Sequence, residues 1–174
     1  MSLYCDTPLP VFAEDICANE EGRIIASVLL RSDHAITDPT SKAQWDAGLA
    51  NGTVVIIKNV KGSKPKGSPV QVDGYGRQKT RTVGYERTAQ YSHPDVVGNE
   101  DFYDVLNFNS SYSYAYFTAG NKVWMPPSDN PIANFDADVV VEEGLDSSIY
   151  FDVAVSWAAQ DMHTAYDAPT GVFE

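Results

Sequence analysis

Two uninterrupted apolar stretches, Ile24-Ile25-Ala26-Ser27-Val28-Leu29-Leu30 and Thr53-Val54-Val55-Ile56-Ile57, flank a short segment with helix signals at both ends. A strand with one wet face alternates apolar and polar residues, so the unbroken run from Ile24 predicts a central strand covered on both faces, with Thr53 to Val60 as its neighbour. Between them, Asp38-Pro39-Thr40-Ser41 has the form of a helix start, an oxygen-bearing cap before a proline whose missing N–H costs nothing there. Asn51-Gly52 predicts the stop. Trp45 and Leu49, four apart, share one face of that helix and predict its contact with the sheet. This strand–helix–strand unit is the expected nucleus of the fold.

The remainder predicts more sheet. Residues 1–22 mix prolines, acids and isolated apolar residues, as an extended N-terminal arm would. Lys61-Gly62-Ser63-Lys64-Pro65-Lys66-Gly67-Ser68-Pro69 breaks every periodicity and predicts a flexible basic arm over 61–76. Gln78 to Tyr91 lacks a strong apolar face, which fits a strand solvated on one side or completed by another chain. Asn99-Glu100-Asp101-Phe102-Tyr103-Asp104-Val105-Leu106 has a capping residue and two first-turn acids, predicting a second helix that buries Phe102, Val105 and Leu106.

Tyr112, Tyr114 and Tyr116 recur at period two before the Ala119-Gly120-Asn121 turn and Val123-Trp124-Met125, a hairpin pattern. From Phe135 to Val141 and from Ile149 to Trp157 the alternation is clearest, with Ile149, Phe151, Val153, Val155 and Trp157 facing one way. Residues 158–174, with Pro169 and Gly171, predict a loose C-terminal tail.

At 174 residues the chain has the size of one domain, 1–174, and no apolar run approaches the roughly 18 residues of a membrane-spanning helix. Met1-Ser2-Leu3-Tyr4-Cys5-Asp6 lacks the basic start and apolar centre of a secretory signal. Cytoplasmic folding is therefore expected, with Cys5 and Cys17 as thiols by default, although they could pair.

Charge alters the picture through its layout. The formal net charge is −12, which argues against a surface that grips nucleic acid by neutralising phosphates. Yet residues 58–87 hold eight basic residues against Asp73 and Glu86, a local +6, and the other positions together carry −18. Such segregation points to a basic segment that meets an acidic surface, either its own body or another molecule.

Candidate chemistry is sparse. His34, His93 and His163 lack metal-ligand spacing and are expected at the surface or in loops. Gly74-Tyr75-Gly76 lacks the third glycine of a dinucleotide loop and predicts a bend instead. Asp136-Ala137-Asp138 with Glu142 and Glu143 does not match a calcium loop and predicts an acidic strand edge. No nucleophile or metal motif stands out, so no cofactor and no enzymatic activity are expected. The tyrosine strand with Trp124 offers a sugar-stacking platform, or more simply a half-buried amphipathic face.

The succession Trp45-Asp46-Ala47-Gly48-Leu49, apolar strand, Lys/Pro/Gly arm, Gly76-Arg77, Gly84-Tyr85-Glu86-Arg87, Asn99-Glu100-Asp101-Phe102-Tyr103 and tyrosine strand resembles virion structural proteins of tailed bacteriophages infecting Bacteroidetes, crAss-like phages included. The resemblance covers roughly residues 23–157. It implies a mainly β (α+β) fold of tail-tube-like type: a β-sandwich or barrel with one or two short flanking helices and a long basic hairpin arm. It also implies a virion location, a homo-oligomeric ring and neighbours such as portal, adjacent ring, tail or hub proteins, with genome DNA passing without specific binding and no membrane. Charge segregation nominates Lys61, Lys64, Lys66, Arg77, Lys79 and Arg81 as interface residues. Capsid-surface or fibre-attachment protein, and carbohydrate-binding module, are the alternatives.

Overall fold

The computed structural model describes residues 10–13, 21–108, 112–128 and 131–174. Cys5, Cys17 and most of the expected N-terminal arm lie outside the described residues. The fold is mainly β and sandwich-like, with nine antiparallel strands and two short helices among the described residues. In chain order these are β1 (Ile24–Arg31), α1 (Lys42–Asn51), β2 (Val54–Ser63), β3 (Ser68–Val72), β4 (Arg81–His93), α2 (Glu100–Phe108), β5 (Tyr112–Thr118), β6 (Lys122–Met125), β7 (Asn134–Val140), β8 (Tyr150–Ala159) and β9 (Thr164–Asp167). The sheet runs β7-β8-β4-β2-β1-β5-β6-β9, and β3 pairs with β4 off that path.

β1 sits between β2 and β5 and is buried on both faces, as its unbroken apolar run predicts. Ala26, Val28 and Leu30 enter one core with Trp45, Ile36, Phe117, Val123, Val172 and Phe173. Leu29 enters the other, larger core, which joins β1, β2, β4, β5, β7, β8 and α2. Ile24 joins Leu29 although simple alternation would place it opposite, because a bulge between Ile24 and Ala26 resets the parity. The larger core closes the sheet on itself: Tyr114 of β5 lies 6.5 Å from Phe135 of β7 and 5.6 Å from Trp157 of β8, ring centre to ring centre.

α1 begins at Lys42, with Ser41 rather than Asp38 at the cap position. Asp38 instead closes the preceding turn, accepting from the Thr40 N–H at 3.0 Å and the Thr40 hydroxyl at 2.6 Å. Gly52 ends the helix in the left-handed region, φ 72°, as expected of Asn51-Gly52. Trp45 is the anchor, fully buried with its indole N–H on the Pro39 carbonyl at 2.8 Å. Leu49 is exposed and Gly48 takes the buried position beside Val54. In α2 the buried residues are Tyr103 and Leu106, Phe102 is partly covered, and Val105 faces solvent.

Two expected irregular segments are ordered elements. Lys61–Ser63 completes β2 against Gln90–Ser92, and Ser68–Val72 is β3, so half of the stretch expected as a flexible arm is strand. Ladder pairing to β4 supplied what the sequence's lack of apolar period concealed. β4 pairs with this chain's own β2, β3 and β8, and its Arg81–Gly84 end lacks a second neighbouring strand among the described residues. The C-terminal segment is likewise docked: β9 pairs with β6, and Phe173 stacks on Phe117 at 4.8 Å and meets Trp45 edge-on at 5.1 Å. Aromatic burial outweighs the loop signals of Pro169 and Gly171.

Candidate assembly interface

The β3–β4 hairpin is the part of the fold with the least support. β4 pairs with β8 only from Tyr85 to His93, and Arg81–Gly84 pairs with β3 alone. All five residues of β3 are exposed. The result is a two-stranded ribbon that leaves the body where Tyr85 meets Ala159. A bulge at the β3 pairing, with Val70 opposite Gly84 and Gln71 opposite Thr82, leaves Val83 as the extra residue. At the tip Gly74 fits because any Cβ there would approach the Gln78 carbonyl oxygen to 2.5 Å. Thr80 donates to Asp73 across the loop at 3.3 Å.

The six nominated residues divide among three places. Arg77, Lys79 and Arg81 are exposed on the ribbon, beside exposed Val70, Val72, Tyr75 and Val83. Lys61 lies on β2 opposite Ser92, lining a hollow of about 380 Å³ with Arg23, Gln90 and Asp152. Lys64 and Lys66 occupy the link from β2 to β3, with Lys66 exposed and Lys64 half-buried. Burial, reinforced by Arg87, lowers the Lys64 pKa.

An acidic face lies at the other end of the same ladder. Asp136 and Asp138 project from β7 and Asp152 from β8, around a hollow of about 340 Å³ shared with Gln90, Val140 and Ala154. Asp138 and Asp152 are directly opposed across the strands, a like-charge pairing that sheets normally avoid. The turn beyond adds exposed Glu142, Glu143 and Asp146 with exposed Val141 and Leu145, and Tyr150 donates to Glu142 at 3.0 Å. Asp152 pairs with Ser92, whereas the ribbon departs at Gly84. At about 3.3 Å per residue the two ends are roughly 26 Å apart.

The outermost strand of this half is not open for strand addition along its length. Asn107, at the end of α2, donates to the Ala137 carbonyl and accepts from the Ala137 N–H, both at 2.9 Å, and so occupies the β7 edge. Completion of sheet edges between chains therefore does not apply at Ala137.

Tyr114 and Tyr116 are buried, so the tyrosine strand does not present an open stacking platform. The Tyr114 hydroxyl pairs with Ser27 Oγ at 3.0 Å, and burial pushes the Tyr116 phenol up to about 12. Of the three histidines expected at the surface or in loops, His34 and His163 lie in loops, but His163 is buried there and His93, the last residue of β4, is buried as well. His93 Nδ1 meets the Tyr103 hydroxyl at 3.1 Å, and burial lowers the His93 pKa. Sequence reasoning missed Arg87, which is buried. Its parity with Ala89, Tyr91 and His93 was the available signal.

Among the described residues no group of three or more His, Cys, Asp or Glu side chains is arranged to hold a metal, and no helix is long and apolar enough to cross a membrane. Comparison of the chain with protein-family models, curated proteins and solved structures finds no match.

Proposed function

We propose that this chain is a non-enzymatic bacteriophage virion structural protein, a ring- or tube-forming subunit of the tail or head–tail connector. The carrying observation is the placement of a basic, partly apolar ribbon and an acidic, partly apolar face at opposite ends of one β4–β8 ladder. At roughly 26 Å separation the ribbon points away from its own acidic face, so complementarity is met by the next copy. Such head-to-tail contact is heterologous, and repeated it closes a ring or extends a tube. An isolated two-stranded hairpin is marginal in water, so the ribbon gains by docking. The acidic body would line a channel that repels DNA phosphates and lets a genome pass. The resemblance in order of sequence features to virion proteins of Bacteroidetes-infecting phages points the same way.

Light scattering coupled to size exclusion tests it. The wild-type chain is expected above its 19.0 kDa monomer mass at low salt and smaller at high salt. Arg77→Glu, Lys79→Glu and Arg81→Glu together should yield monomer, and Asp136→Lys with Asp138→Lys in a second chain should restore mixed assemblies. An assembly state indifferent to the ribbon reversals would overturn the reading.

A further inference from the structure

Beneath the link from β2 to β3, a group of side chains carries hydrogen-bonding capacity that the fold does not use. Arg87 is 5% exposed, with its guanidinium 5.0 Å from the centre of the Tyr85 ring. Its Nη1 donates to the Ala159 carbonyl at 3.0 Å, the one hydrogen bond the guanidinium makes among the described residues. Directly opposite on β8 is Trp157, 3% exposed, whose indole Nε1 has no hydrogen-bond partner among the described residues. His163, 7% exposed, packs on Trp157 with ring centres 4.9 Å apart. Its Nε2 is committed to the Tyr114 carbonyl, leaving Nδ1 buried without a partner among the described residues. The link lies against Arg87, where a Cβ on Gly67 would come within 2.8 Å of Arg87 Cγ, and half-buried Lys64 on that link is near enough that its charge and that of Arg87 bear on the imidazole. Among the described residues neither Lys64 nor Arg87 has a carboxylate partner.

Each of these is costly alone. A buried cation without a counter-charge and a buried donor without an acceptor are each strongly destabilising. Their coincidence at one place calls for an occupant that brings negative charge and accepts several hydrogen bonds. A cation is repelled by Lys64 and Arg87, and a planar guanidinium matches a carboxylate or phosphate edge.

We propose that Arg87, Lys64, Trp157 and His163 form a binding site for an oxyanion, a carboxylate or phosphate group. Arg87 and Lys64 supply the charge, and the Trp157 indole supplies a directional donor. A neutral His163 presents a lone pair at Nδ1, so the bound anion draws a proton onto that nitrogen and turns it into a donor. The groups that face the imidazole are Lys64 from the link, Arg87 from β4, Tyr114 and Tyr116 from β5, and Trp157 from β8. In the protein alone, burial first and then the two cations hold the His163 pKa down to about 4. An anion cancels the cationic field and raises it. The oxyanion is either free in solution or the side chain of another copy.

The test titrates sodium phosphate and, separately, sodium acetate into dilute protein, with chloride holding ionic strength constant. The readouts are the Trp157 indole N–H and His163 ring resonances. The expected result is a saturable shift of both, with the His163 midpoint rising by about one pH unit or more. Lys64→Met and Arg87→Met should each weaken binding by about tenfold or more. Lys64 lies on a half-exposed link, so its variant carries the test if Arg87→Met does not fold. A response no larger than chloride's, or one undiminished in Lys64→Met, overturns the site. Repetition at self-associating concentration separates the sources: phosphate that dissociates assemblies competes with a neighbour's carboxylate, and shifted resonances with unchanged mass identify a free oxyanion. Because the dilute titration needs no assembly, failure of the ring proposal leaves it interpretable.

Discussion

The Nε2–H of His163 donates to the main-chain carbonyl of Tyr114 at 2.7 Å, across 49 residues of sequence. The contact substitutes for a ladder bond. β6 pairs with β5 only over Tyr116–Thr118 and gives way to Pro126-Pro127, so the earlier part of β5 loses its neighbour on that side. There the Ala133 N–H takes the Tyr112 carbonyl at 2.8 Å and His163 takes that of Tyr114. A side chain and a loop thus finish an edge that a proline pair interrupts.

His163→Ala should cost about 1–3 kcal/mol by leaving that buried carbonyl unpaired, with His163→Gln recovering part through its amide N–H. Denaturant unfolding curves for the three proteins measure it. A loss equal for both variants would assign the effect to ring packing alone.

The same imidazole makes stability fall with acid. Its folded pKa of about 4 is below the ordinary 6.5, so between those values the unfolded chain binds the extra proton. Stability from this group is present above pH 6.5 and declines toward pH 4, on the order of 3 kcal/mol in chloride buffers. His34 and His93, lowered mainly by burial, act in the same direction. Unfolding free energies measured from pH 7.5 to 4 should show a shallower slope in His163→Gln.

Phe173→Ala should destabilise the protein by about 3–5 kcal/mol, since the ring fills the space between Trp45 and Phe117. Tryptophan emission should shift to the red before global unfolding as Trp45 loses its cover. An unchanged midpoint would mean the last residues contribute no core.

Gly62→Ala is expected to weaken β2–β4 pairing, because the added Cβ would lie 2.5 Å from the Gln90 carbonyl oxygen and 2.6 Å from Tyr91 Cβ. The cost should be about 1–3 kcal/mol. Gly22→Ala, with nothing within 4 Å, is the control and should be near neutral. Hydrogen exchange at Tyr91 and Ser92 reports the opening directly.

Asp138→Asn should stabilise the isolated subunit by roughly 0.2–1 kcal/mol by relieving its opposition to Asp152, with the gain shrinking at high salt. If the acidic face receives a basic ribbon, the same change weakens assembly. A stabler subunit that associates less well is the expected pair of results, read by thermal unfolding and light scattering.

Period and caps made much of the framework legible. β1, β2, β5, β6 and β8 follow from apolar runs or strict alternation, and Gly52 ends α1 where Asn51-Gly52 predicts. Elements held mainly by backbone pairing were not legible. β3 has no buried residue, so no apolar period could announce it. The C-terminal segment was hidden because a short exposed strand, β9, and two buried residues near its end, Val172 and Phe173, fasten it without any sustained period. Clustered charge exposed the basic segment but not its division, because the half-burial of Lys64 on the link follows no period that the sequence displays. Arg87 follows the parity of its strand and not the polarity of its side chain.

The bipartite pairing of β4 also has a mechanical consequence. One of its edges is shared by β2 and β3, broken at Lys64–Gly67, while the other runs unbroken along β8 from Tyr85 to His93. A load on the ribbon tip travels along β4 and meets the bonds to β8 side by side, in shear, so they resist together and do not unzip one at a time. The opposite edge can hinge at the link while that grip holds.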